Sequence, residues 1–111
     1  MADVDVTDRV ERLAALEERL GVRLEGLSAF VSGGEDHVWL TVRGELQPQE
    51  GTELGVDLEV TVVAYDAAGR VVGTDSHPCS ADGFFGLEVF ELLVQLPVSR
   101  LSRIRIYPKA T

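Results

Sequence analysis

A chain of 111 residues, 45% of them apolar, is the right size for one domain that holds its own core without disulfides or metal. Its formal charge of −9 works against binding to phosphate backbones, and no apolar run approaches the roughly 20 residues of a bilayer span, so neither nucleic acid nor membrane is expected as a partner. The lone cysteine, Cys79, forbids an internal disulfide, and the acidic start at residues 1–6 lacks the basic-then-apolar order of a secretory leader; the expected location is cytoplasmic.

Residues 7–20 carry the helical spacing of the chain. Val6, Val10, Leu13, Leu16 and Leu20 recur on one stripe, with Arg9, Arg12, Glu18 and Arg19 away from it. Thr7 or Asp8 can cap the first amides, Glu11 follows Asp8 at capping-box distance, and Gly21 supplies a left-handed stop. The spacing therefore predicts an amphipathic helix over 7–20, in a unit of residues 1–21 ahead of a β domain over residues 22–111. Glu17 and Glu18 read as helix surface. A free helix of this length is marginal in water, so the stripe of Val10, Leu13, Leu16 and Leu20 either docks on the sheet of its own chain or joins equivalent helices of other copies as a short coiled coil.

After Gly21 the period changes to two. A first strand is predicted over 24–31 and ends at Ser32-Gly33-Gly34; a second, over 38–46, turns Val38, Leu40, Val42 and Leu46 to one side. The clearest strand is 56–65, with Val56, Leu58, Val60, Val62 and Ala64 inward and Asp57, Glu59 and Thr61 outward. At 66–69 Asp66 can accept from the amides ahead of it and Gly69 can take the positive φ that closes a hairpin with a bulge onto a return strand over 70–76. Strands over 84–93 and 101–107 complete the set, with Phe84, Phe85 and Phe90 expected in the core and Pro97 interrupting between them. Six or seven such strands without intervening helical pattern predict a mainly β fold, a sandwich of two antiparallel sheets. Arg100, Arg103, Arg105 and Lys109 read as the basic solvent face of the last strand, set beside acidic neighbours.

Reactive side chains cluster in one place. On an extended chain Asp75, His77 and Cys79 point the same way, so a carboxylate, an imidazole and a thiol can converge as a metal site or a Cys-His pair. Structural zinc wants four ligands and His37 is remote in sequence, so the reading preferred is a loop leaving a strand with an incidental thiol. Glu35-Asp36-His37 reads as a polar turn, and no phosphate loop, dinucleotide fingerprint or nucleophile elbow is present. The sequence thus assigns no catalytic residue, no metal and no cofactor. Trp39 and Tyr65 fall opposite the inward residues of their strands; they are either an exposed patch for a protein or a sugar, or surface covered by the leading helix.

The segment 60–73, Val-Thr-Val-Val-Ala-Tyr-Asp-Ala-Ala-Gly-Arg-Val-Val-Gly, preceded by Val42-Arg43-Gly44-Glu45-Leu46, resembles the small bacterial immunoglobulin-like or fibronectin-like domains of the FxLYD type, over residues 38–107. Val62 and Ala64 stand where that motif has Phe and Leu. The resemblance implies an immunoglobulin-like, noncatalytic sandwich and carries over no active-site residue. Ile104-Arg105-Ile106 resembles the Ile-x-Ile anchor of small heat-shock proteins, which implies a chaperone as the alternative. The function expected from the whole is a protein-interaction or assembly module that pairs with a protein partner or with itself, through Val10, Leu13, Leu16 and Leu20 or through Trp39 and Tyr65. A Cys/His-dependent enzyme at Asp75, His77 and Cys79 is the further alternative.

Overall fold

Alternation gives each long strand one apolar side, and two sheets that turn these sides toward each other remove both from water. The computed structural model describes residues 3–33, 37–97 and 101–111. In chain order they form β1 (Val4–Asp5), a 3-10 turn (Thr7–Arg9), β2 (Val10–Arg12), α1 (Ala14–Arg19), β3 (Val22–Gly33), β4 (His37–Pro48), β5 (Leu58–Tyr65), β6 (Val71–Cys79), β7 (Glu88–Pro97) and β8 (Arg103–Ala110). One sheet has the order β1-β3-β4-β7 and the other β2-β8-β5-β6. Neighbours pair antiparallel except β2 and β8, which run parallel.

The mainly β sandwich expected from the alternation is present. Leu40, Val42 and Leu46 of β4 and Phe90, Leu92, Val94 and Leu96 of β7 are buried against Leu58, Val60, Val62 and Ala64 of β5 and Ile104 and Ile106 of β8. Each such Val, Leu, Ile or Phe side chain contributes about 1.5–3 kcal/mol by leaving water. Val56 departs from the expectation and is exposed, because β5 begins only at Leu58. The hairpin turn forms as read: Asp66 Oδ1 accepts from the amides of Ala68 and Arg70, both at 2.9 Å, Gly69 has φ +79°, and the register shifts between Ala64 and Tyr65.

Within the first sheet β3 and β4 pair directly, and within the second β5 and β6 do.

The helix expected over 7–20 does not form as one piece. Val6 enters the core, Thr7 Oγ1 accepts from the Ala29 amide at 3.0 Å instead of capping a helix, and residues 10–12 join the edge of β8. The Leu13 amide extends that ladder by donating to the Ile106 carbonyl at 3.3 Å. A sheet edge offers these backbone groups partners that a marginal helix cannot match. Only Ala14–Arg19 is α-helical among the described residues, stopped by Gly21 at φ +69° as the sequence implied. Since β1 pairs with β3 and β2 with β8, residues 1–21 are not a separate unit: the described part is woven into both sheets. Val10, Leu13, Leu16 and Leu20 are each half-buried, and Val10 and Leu20 pack on the chain's own core.

Glu17 is not helix surface. It is buried, and its carboxylate accepts from Arg12 Nη2 at 2.6 Å and Nε at 3.1 Å and from the Leu24 amide at 2.9 Å. The Glu17 hydrogen bond in turn holds the Arg12 guanidinium above its usual pKa. Glu17→Ala leaves the Leu24 amide and Arg12 without this acceptor, so urea unfolding is expected to show a loss of about 2 kcal/mol, with Glu17→Gln losing roughly half of that. A loss under about 0.5 kcal/mol for Glu17→Ala, the size of an ordinary surface change, would contradict this role.

Candidate functional site

Two features of the surface are unlike a plain solvated sandwich. The first is the outward face of β4 and β7. Phe85, 90% exposed, and Leu87 stand just ahead of β7, and Val89 and Leu93 continue the exposed apolar line along that strand. Trp39 of β4 lies in register with Gln95, and Thr41 with Leu93. Between the two ends of the line, Arg43 Nε meets Glu91 Oε2 at 2.6 Å. Trp39 is exposed on this face, and α1 packs on β3 and β8, so the helix is not its cover. The sequence reading put Phe85 in the core; the loop from Gly83 to Gly86, both at positive φ, turns Phe84 inward and Phe85 out.

The second aromatic of the sequence reading, Tyr65, belongs to a different surface. Arg103 and Arg105 lie over its ring, with guanidinium carbons 5.0 and 5.3 Å from the centroid, a cation–π arrangement. The Tyr65 side chain first, and then Glu11, raise the Arg105 pKa. Glu11 of β2 stands 3.6 Å from Arg103 and 3.4 Å from Arg105, and Lys109 stands 3.8 Å from Glu59. The basic face of the last strand thus sits beside acids, as its charges implied; Arg100 lies outside the described residues, as do Glu35 and Asp36 of the polar turn. Trp39 and Tyr65 are on different sheets and do not form one patch.

The second unusual feature is the seam where the edge strands β6 and β7 meet. A Cβ on Gly73 would collide with Val94 Cγ1 and lie 3.3 Å from the Gln95 carbonyl, so only glycine allows this approach. Asp75, expected beside His77 and Cys79, is used elsewhere: its Oδ2 accepts from the Leu93 amide at 2.9 Å and caps the open edge of β7. The third group near His77 and Cys79 is Glu88, 2.7 Å from His77 Nε2 through its Oε2. One donor atom from each of His77, Cys79 and Glu88 lies within 4.8 Å of the others. Glu88 was missed in sequence, although alternation puts it on the inward side of β7 with Phe90 and Leu92, and a charge at such a position is a signal.

Burial, and then the neighbouring Glu88 carboxylate, push the Cys79 thiol up to about 12. Raised from 9.0 in the unfolded chain, the thiol adds stability that is whole below that pH and lost as pH rises toward 12. A thiol so held is a poor nucleophile at neutral pH. No helix among the described residues is long and apolar enough to cross a membrane.

Comparison with known proteins places the fold and little else. No family model and no curated protein matches the chain. A solved structure of a β-glucuronidase from glycoside hydrolase family 2 is similar, with a TM-score of 0.51 and 11% identity. The match covers 80% of this chain and 11% of that one, so the likeness is to a domain-sized piece of a much longer enzyme.

Alkylation checks the state of Cys79. With its pKa moved from 9.0 to about 12, native protein at pH 8 is expected to react with iodoacetamide roughly a thousandfold more slowly than the urea-unfolded chain, the ratio of thiolate populations. Native labelling within tenfold of the unfolded rate would show an accessible thiolate instead.

Proposed function

We propose that the chain is a noncatalytic assembly module, a sandwich that pairs with a second copy of itself through the outward face of β4 and β7. The observation that carries the proposal is the exposed apolar line of Phe85, Leu87, Val89 and Leu93, extended by Trp39. Several large apolar side chains exposed on one sheet face are costly to leave in water and mark interaction sites. Charge selects the occupant. The outward residues of β4 and β7 include one arginine, Arg43, and two glutamates, Glu45 and Glu91, on a chain whose net charge is −9. Two copies approaching on this face meet less like charge than on the acidic remainder, and Arg43 and Glu91 can exchange partners across a two-fold axis.

Association by face is favoured over strand addition, since Asp75 already occupies the Leu93 amide on the β7 edge. The half-buried positions of Val10, Leu13, Leu16 and Leu20 make the leading segment a weaker candidate for pairing than sequence suggested. Ile104 and Ile106 are wholly buried in the chain's own core, which removes support from the chaperone alternative. The protonated state of Cys79 does the same for a Cys-His enzyme. The hairpin of β5 and β6 carries the likeness to FxLYD-type domains, and a buried, reduced Cys79 accords with a cytoplasmic setting.

Light scattering over a concentration series tests the pairing. The parent chain is expected to reach twice its monomer mass, and Phe85→Asp with Val89→Asp to remain monomeric with an unchanged far-ultraviolet circular dichroism spectrum. A parent that stays monomeric, or a double variant that still dimerises, contradicts the proposal; retention of the monomeric parent by an unrelated protein would assign the face to a different partner.

A further inference from the structure

The β6–β7 seam carries three different metal-ligating groups that the assembly role does not use. Each is held by a strand: His77 and Cys79 at alternate positions of β6, Glu88 at the first position of β7. We propose that His77, Cys79 and Glu88 form a three-ligand site for a divalent transition-metal ion of the zinc class.

The geometry is close to what such an ion needs. Bonds of about 2.0–2.3 Å in a tetrahedron separate donor atoms by roughly 3.3–3.8 Å. Here the three donor atoms all lie within 4.8 Å of one another, with His77 Nε2 and Glu88 Oε2 at 2.7 Å. Side-chain rotations that draw Cys79 inward and part the His77–Glu88 contact by about an ångström satisfy those lengths. The strands that carry the donors cannot drift apart, because β6 and β7 are clamped by the close approach at Gly73 and by the Asp75 bond to the Leu93 amide.

The donor set selects the ion. One imidazole nitrogen, one sulfur and one carboxylate oxygen suit zinc and its borderline neighbours, whereas calcium and magnesium require oxygen around the whole sphere. Three protein ligands leave a fourth position. Cys79 also lines a cavity of about 180 Å³ with Asp57, Leu58, Pro78, Ser80 and Thr111. The site closes with a proton balance: the Cys79 thiol loses its proton to solvent as the metal–sulfur bond forms, so binding weakens as pH falls. Without metal the same three side chains form a hydrogen-bonded plug, and a direct experiment separates the two.

Metal-stripped full-length protein is titrated with Zn2+ in a calorimeter and with Co2+ in a spectrophotometer. The site predicts one ion per chain, a Zn2+ dissociation constant below about 1 µM, and a thiolate-to-cobalt charge-transfer band. Cys79→Ser is expected to abolish the band, and the near-isosteric Glu88→Gln to weaken Zn2+ binding at least tenfold while keeping the native circular dichroism spectrum. Asp82→Asn, exposed in the loop after β6 and outside both the donor set and the clamp, should bind as the parent does. Failure of the parent to take up stoichiometric metal, a cobalt spectrum without the sulfur band, or undiminished binding by Glu88→Gln overturns the site. None of these readouts depends on whether the chain dimerises.

Discussion

The Glu17 carboxylate joins three elements that sequence separates. Through Arg12 it holds β2, which belongs to one sheet, and through the Leu24 amide it holds β3, which belongs to the other. Its own helix, α1, is thereby fixed across the end of the sandwich, against β3 and β8. A carboxylate this deeply buried is tolerated only when its oxygens are filled, and all three bonds are needed to fill them. The placement of the first twenty residues follows: β1 on β3, Val6 into the core, β2 on β8, then the short helix.

That arrangement also covers parts of the sheet edges. β1 covers β3, β2 covers β8, and Asp75 reaches from β6 to an open amide of β7. Exposed strand edges invite uncontrolled pairing, and a carboxylate aimed at one is a standard means of blocking it. Apolar side-chain surface also remains exposed on the outward face of β4 and β7. The polar seam and the apolar face are thus two sides of the same strand: β7 turns Glu88, Phe90 and Leu92 inward and Val89 and Leu93 outward.

Local features of this fold were legible in the sequence, while features set by distant partners were not. The hairpin at Asp66 and Gly69 is written in adjacent residues, and the alternation at 38–46 and 58–65 names its own inward side. The helical spacing of Val10, Leu13, Leu16 and Leu20 is also real, yet the open edge of β8, some ninety residues onward, draws Val10 to Arg12 into a strand. Glu17 looked like helix surface because nothing nearby announces that Leu24 needs an acceptor. Phe84 and Phe85 were both expected inside, and glycine geometry that alternation ignores turns Phe85 out. At the seam, His77 and Cys79 were placed correctly relative to each other, but their third neighbour, Glu88, comes from another strand.

Native-state amide hydrogen exchange tests most directly whether the leading segment is structurally part of the sandwich. Amides of Leu13 and Leu24, bonded to Ile106 and to Glu17, should open with the same free energy as those of Val60 and Val62 at the centre of β5. Exchange of Leu13 and Leu24 at near-unprotected rates while β5 stays protected would mean that the first twenty residues are a loosely tethered arm.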